Sequence, residues 1–127
     1  PALDPSDDRS PAKQALYSDV DPAELPLTES LKDTIARVVP YYEQEIRPQL
    51  EAGKRIIIAA HGNSLRALIM YFDKLSSEEI TGVNVPTGVP LVYEFGDGEN
   101  VLRKFYLVDQ AAIEAKMQAV AAQGKAK

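Results

Sequence analysis

The sequence predicts an α/β fold: a layered, mostly parallel sheet with helices on both faces and a short hairpin at one edge. Three observations carry this expectation. A continuous β-branched run, Ile56-Ile57-Ile58, leads into Ala59 and Ala60, the pattern of a central strand covered on both faces rather than one alternating between core and water. Apolar residues recur at spacings of three and four before and after that run, as amphipathic helices require. Two further segments, Leu91–Phe95 and Val101–Leu107, are joined by Gly96-Asp97-Gly98-Glu99, a turn-rich connection of the hairpin kind. Helix and strand signals that mix along one chain are met most simply by a layered sheet.

Residues 1–26 read as an irregular arm. Pro1, Pro5, Pro11, Pro22 and Pro26 alternate with Asp4, Asp7, Asp8, Asp19 and Asp21, and each proline turns its predecessor away from helix. Leu3, Leu16, Tyr17 and Leu25 are the side chains by which the arm would lie on a surface. The α/β portion, 27–127, starts with a helix after Thr28, an N-cap residue followed by Glu29 in the favourable first turn. Leu31, Ile35, Val38, Val39, Tyr42 and Ile46 form its apolar stripe, Tyr41 and Tyr42 pack within it, and Pro40 kinks or splits it by removing one ladder donor. After the turn Ala52-Gly53-Lys54 comes the isoleucine strand, whose burial would contribute roughly 1.5–3 kcal/mol per isoleucine.

A second helix begins near Asn63 or Ser64, with Leu65, Leu68, Ile69, Phe72 and Leu75 on one face. Ser76 and Glu79 fit the capping-box pattern of a further short helix. A loop, Asn84-Val85-Pro86-Thr87-Gly88-Val89-Pro90, leads to the hairpin. Asp109 caps a final helix through Ile113, Met117, Val120 and Ala121; Gly124 ends it, and 124–127 read as a mobile tail.

Composition narrows the function classes. A chain of 127 residues, 45% hydrophobic and 26% charged, fits a single domain with a sizeable core and argues against wholesale disorder. The net charge of −5 sets the surface against nucleic acid. No apolar stretch is long enough to span a bilayer, and a cytoplasmic location is the default. Cysteine is absent, so no disulfide framework, thiolate metal site or thiol nucleophile is expected.

One position gathers unusual chemistry. His61, the only histidine, is followed by Gly62, Asn63 and Ser64 where the predicted strand ends and a helix starts. Ligands of open α/β sheets bind at the carboxyl ends of strands. The first amides of a helix have no intrahelical acceptor and favour negative charge. Gly62 permits close backbone approach, Asn63 adds an amide donor, and an imidazole donates a hydrogen bond or carries positive charge near neutral pH. From local pattern alone, an anion site and a plain helix cap weigh equally. A Ser64–His61 hydrolase pair is weaker, because no Gly-x-Ser-x-Gly elbow exists and no orienting acid is specified. A metal site is weak too, since one histidine and no cysteine leave only carboxylates beside it.

The run Ile57-Ile58-Ala59-Ala60-His61-Gly62-Asn63-Ser64-Leu65-Arg66-Ala67-Leu68 closely resembles the second histidine motif of the cofactor-dependent phosphoglycerate mutases, a family of the histidine phosphatase superfamily. The likeness extends through Leu25-Pro26-Leu27-Thr28-Glu29-Ser30-Leu31 and Val85-Pro86-Thr87-Gly88-Val89-Pro90-Leu91-Val92-Tyr93-Glu94-Phe95, and into the last helix and Gln123-Gly124-Lys125. It spans residues 1–127 but matches the C-terminal portion of that domain. The family's Arg-His-Gly motif, whose histidine accepts the phosphoryl group, has no counterpart here, nor have its general acid/base carboxylate and its paired substrate arginines.

The resemblance implies a phosphoglycerate-mutase-like fold and a glycolytic isomerase that interconverts 2- and 3-phosphoglycerate through a phosphohistidine. It implies 2,3-bisphosphoglycerate as cofactor, no metal, small phosphorylated three-carbon acids as partners, and a homo-oligomer when intact. His61 is then the catalytic partner that stabilises the transferring phosphoryl group, Gly62 and Asn63 contact substrate, and the tail closes over the site. The isolated chain is expected to be inactive. A phosphatase of the same superfamily and a non-catalytic phosphometabolite-binding module are the alternatives.

Overall fold

The helix Leu31–Tyr41 and the aromatic side chains Tyr93 and Phe95 pack on one helix, Gly62–Asp73. In the computed structural model, which describes residues 2–4 and 6–123, the elements run α1 (Leu31–Tyr41), a π-helical turn (Tyr42–Ile46), α2 (Arg47–Glu51), α3 (Gly62–Asp73), β1 (Leu91–Phe95), β2 (Val101–Tyr106) and α4 (Gln110–Gln123). Ala67, Leu68 and Ile69 of α3 are buried, and α1 packs along the same helix. Phe72 is the hub of an aromatic cluster. Its ring centroid lies 4.9 Å from Tyr42 and 5.1 Å from both Tyr93 and Phe95, within the range where tilted and edge-to-face pairs attract. The cluster ties α3 to the π turn on one side and to the hairpin on the other.

Most helix boundaries follow local chemistry. Ser30 caps α1 through a reciprocal box, its hydroxyl accepting from the Asp33 amide while the Asp33 carboxylate accepts from the Ser30 amide. The start is therefore two residues beyond Thr28, because only Ser30 has an acid three positions on. The Ser30 hydroxyl, and then its amide, hold the Asp33 carboxyl below the ordinary aspartate value. Glu29 is held instead by the Arg37 fork, eight residues on. Pro40 does not split α1. It lacks the donor for the Ala36 carbonyl, and the chain answers by changing helix type two residues later, over Tyr42–Ile46. Tyr42 is buried in that turn, whereas Tyr41 is 61% exposed.

The hairpin meets its expectation closely. β1 and β2 pair antiparallel from Leu91↔Tyr106 to Phe95↔Val101, with a bulge between Glu94 and Phe95. Its turn closes with Gly96 N–H donating to the Asn100 carbonyl at 2.8 Å. Gly98 has φ +66 and Glu99 φ +61; a non-glycine residue there costs about 1 kcal/mol. Glu99 is held in place by two partners: the Tyr42 hydroxyl donates to it at 2.8 Å and Arg47 lies 3.3 Å away. Burial first, and the Glu99 contact next, push the Tyr42 phenol well above its ordinary value. At the other end of the hairpin, Tyr93 and Lys104 both donate to Asp73. Lys104 thereby offsets an acid placed at the unfavourable, negative end of the α3 dipole.

The isoleucine run departs from expectation. Residues 54–61 adopt no regular structure, and Ile57 is 95% exposed, with Ile58 at 36%. A buried parallel strand needs hydrogen-bonded neighbours and a layer on each face. Among the described residues the sheet has two antiparallel strands and reaches neither side of this run. Among the described residues Ile56 is half-buried but the burial expected of Ile57 and Ile58 is not realised, and a mostly parallel layered sheet is not seen. What the described residues do show is a mixed α and β arrangement.

The arm is irregular as expected, with single 3-10 turns at Pro11–Lys13, Ala15–Tyr17 and Pro22–Glu24. Leu3 and Leu25 anchor it: both are half-buried, and the Leu3 amide donates to the Leu27 carbonyl. Leu16 and Tyr17 are exposed and do not, since a 3-10 turn of three residues has no continuous face to lay down. Ser76 and Glu79 form the predicted reciprocal box, which opens a 3-10 turn, Glu79–Gly82, rather than an α-helix. In α4, Ile113 is buried and Met117 and Val120 half-buried, but Ala121 is exposed. Gly124 and the tail 124–127 lie outside the described residues. Among those residues, no helix is long and apolar enough to cross a membrane.

The contrast between the two isoleucine environments is measurable. Ile69→Ala should lower the stability of the 127-residue chain by about 2–5 kcal/mol. Ile57→Ala should change it by no more than about 0.5 kcal/mol. Urea unfolding of both variants, read by circular dichroism, checks the pair.

Candidate functional site

His61 sits at the N-cap of α3, with extended backbone (φ −61, ψ 149). The helix therefore starts at Gly62, one or two residues before the position that apolar spacing marks. The reason is local. The His61 carbonyl accepts from the Leu65 amide at 3.0 Å, and the ring Nδ1 accepts from the Asn63 amide at 3.3 Å. The imidazole thus does what a serine or asparagine usually does at this place, satisfying one of the orphan donors of the first turn.

The ring is exposed, and Gly62, Asn63 and Ser64 are half-buried. His61 is not entombed among aliphatic neighbours. Of the first-turn amides, that of Asn63 is taken by the ring, and those of Gly62 and Ser64 have no acceptor among the described residues. Two open amides at the positive end of a helix dipole, beside an exposed imidazole, form a donor set suited to one phosphoryl or carboxylate group. No hydrogen bond joins Ser64 to His61, so the hydrolase pairing has no geometric support. Nor do the described residues contain a group of three or more metal-ligating side chains.

Gly62 has helical rather than left-handed backbone, so no strain demands glycine there. A Cβ built on it would meet nothing within 4 Å. Its value to a ligand would lie in leaving that space open. Arg66, which sequence reasoning passed over, is engaged elsewhere: its Nη2 donates to the Ile80 carbonyl at 2.6 Å, and its Nε is buried without a partner among the described residues. It pins the 3-10 turn Glu79–Gly82 onto α3, and only a tertiary contact could reveal that. His61 lines neither of two concavities formed by the described residues. One is an apolar groove of about 420 Å3 between α1 and α3, bounded by Ile35, Val39, Met70 and Leu75. The other, of about 330 Å3, lies beside the hairpin turn at Tyr42, Arg47 and Glu99. The His61 cap is an open shelf, not an enclosed pocket.

Residues 6–107 match the family described as the histidine phosphatase superfamily, branch 1. The chain belongs to that superfamily. Among its curated relatives is a protein of Treponema denticola named 2,3-bisphosphoglycerate-dependent phosphoglycerate mutase, 61% identical over 127 residues, all of this chain and 51% of that protein. A protein of the same name from Borreliella burgdorferi is 52% identical over 126 residues, 99% of this chain and again 51% of the relative. The chain spans about half the length of the curated relatives it matches.

Replacing the capping ring tests its structural part separately from any chemistry. His61→Ala should destabilise the chain by on the order of 1 kcal/mol, while His61→Asn, which restores a side-chain acceptor, should recover most of the loss. Thermal unfolding of the three proteins reads the difference.

Proposed function

We propose that this chain is the C-terminal portion of a 2,3-bisphosphoglycerate-dependent phosphoglycerate mutase, a glycolytic isomerase. The intact protein interconverts 2- and 3-phosphoglycerate. The observation that carries the reading is His61: an exposed imidazole at a helix N-cap beside two open amides, in a chain 61% identical throughout to a relative of that name.

The chemistry divides between this chain and the rest of the protein. Transfer of a phosphoryl group through a phosphohistidine breaks a nitrogen–phosphorus bond and forms an oxygen–phosphorus bond to the substrate hydroxyl. It also needs a base for the hydroxyl proton. With one histidine, this chain supplies the partner ring; the nucleophile and the base come from elsewhere in the intact protein. His61 donates to the equatorial oxygens as charge spreads over them, Gly62 lets its amide approach, and the Asn63 side chain donates to substrate. The cofactor, 2,3-bisphosphoglycerate, would supply the phosphoryl group that primes the nucleophile, and the His61–Ser64 donor set would hold one of its phosphates. The reaction so assigned requires no metal.

The isoleucine run takes its place in the same reading. In the intact protein Ile56–Ala60 is a central strand of a mostly parallel sheet covered by helices on both faces, and it presents His61 at its carboxyl end. A cytoplasmic homo-oligomer acting on small phosphorylated three-carbon acids completes the assignment.

Mutase turnover of the intact protein, followed by phosphorus NMR with 3-phosphoglycerate and 2,3-bisphosphoglycerate, tests the proposal. His61→Ala should lower kcat by about a hundredfold or more, the loss typical of a removed transition-state donor. Turnover by the 127-residue chain alone would overturn the division of labour, and net phosphate release by the intact protein would mark a phosphatase instead. The strand assignment has its own measurement: Ile57→Ala, nearly silent in the 127-residue chain, should cost the intact protein about 2–5 kcal/mol.

A further inference from the structure

The contact between His61 and Asn63 says more than that a helix is capped. A main-chain amide nitrogen can only donate. The His61 Nδ1 that lies 3.3 Å from the Asn63 nitrogen must therefore hold a lone pair, and the proton of the neutral ring must sit on Nε2. A hydroxyl or water at the same place would carry no such information, because either can reverse its role.

The donor is also rigid. Asn63 is the second residue of α3, its amide has no competing intrahelical acceptor, and the turn around it is closed by the Leu65 amide bonding to the His61 carbonyl at 3.0 Å. The ring's other nitrogen has no hydrogen-bond partner among the described residues, and the residue is exposed.

We infer that the Asn63 amide is a positioning group which locks His61 as the neutral Nε2–H tautomer, so that the ring meets a phosphoryl oxygen as a single, directed hydrogen-bond donor. The inference rests on the function proposed above and deepens it, by naming the atom and the protonation state that face the anion. It also divides the electrostatics. A proton on Nδ1 would set two donors against each other and break the cap, so a charged His61 and a capped α3 exclude one another. Within the cap, anion stabilisation comes from the Nε2–H, the Gly62 and Ser64 amides and the helix dipole. Full positive charges on the substrate belong to groups outside it. Arg66 does not contribute one while it is bound to the Ile80 carbonyl.

The test is the ring's own nitrogen spectrum. The intact protein is labelled with nitrogen-15 and studied without ligand at about pH 8.5, where an ordinary histidine of pKa about 6.5 is neutral. The His61 signals are identified by their loss in His61→Gln. The expected result is a pyridine-type Nδ1 and a pyrrole-type Nε2, each at its limiting shift, with none of the tautomer averaging that free histidine shows. A pyrrole-type Nδ1, or both nitrogens at the averaged shifts of free histidine, overturns the inference. Because no ligand is present, the two readings fail separately. A locked ring in a protein without mutase turnover sinks the proposed function alone, and an averaging ring in a fully active mutase sinks the tautomer lock alone.

Discussion

Burial of one side of α3 is the constraint on which the other features depend. Ala67, Leu68 and Ile69 are buried, and Phe72 one turn further on gathers Tyr42, Tyr93 and Phe95 around it. Those contacts fix the rotation of the helix about its own axis. Rotation sets where the first turn points, and the first turn carries His61, Gly62, Asn63 and Ser64. The candidate site is thus aimed by hydrophobic contacts further along the same helix, through the stiffness of an α-helix.

The polar ties around the cluster act in the same sense. Asp73 receives Tyr93 and Lys104, which holds the hairpin against the end of α3. Glu99 receives Tyr42 and Arg47, which holds the hairpin turn against the π segment. Each acid has two partners, so neither leaves an uncompensated charge in a half-buried place. Arg66 adds a third tie, from α3 to the turn Glu79–Gly82. The result is a frame that is well connected on one side of α3 and open at its N-terminus.

That openness gives the chain its chemical character. A histidine at a helix N-cap combines two uses of one ring: Nδ1 satisfies the helix, and Nε2 is left for a ligand. The same economy explains why sequence pattern weighed a cap and an anion site equally at His61. Under the proposed function the two need not be alternatives, because they would use different nitrogens.

Much of the local structure was legible in the sequence because it depends on neighbours in the chain. The hairpin Leu91–Phe95/Val101–Tyr106, the Ser76–Glu79 box and the start of α4 after Asp109 follow from turn chemistry, reciprocal capping and apolar spacing over a few residues. His61 as the notable position was legible too, from the change of pattern that surrounds it. Tertiary structure decided the rest. Ile56–Ile58 carry strong strand propensity, yet a strand exists only where another backbone pairs with it, and no described residue does so. Tyr41 and Tyr42 are adjacent and identical in type, but the π turn sends one into the core and leaves the other in water. Arg66 is unremarkable in sequence and becomes a half-buried tie only when Ile80 folds back upon it. Propensity is a property of a few consecutive residues, whereas pairing, burial and long-range hydrogen bonds need partners that the chain order does not name.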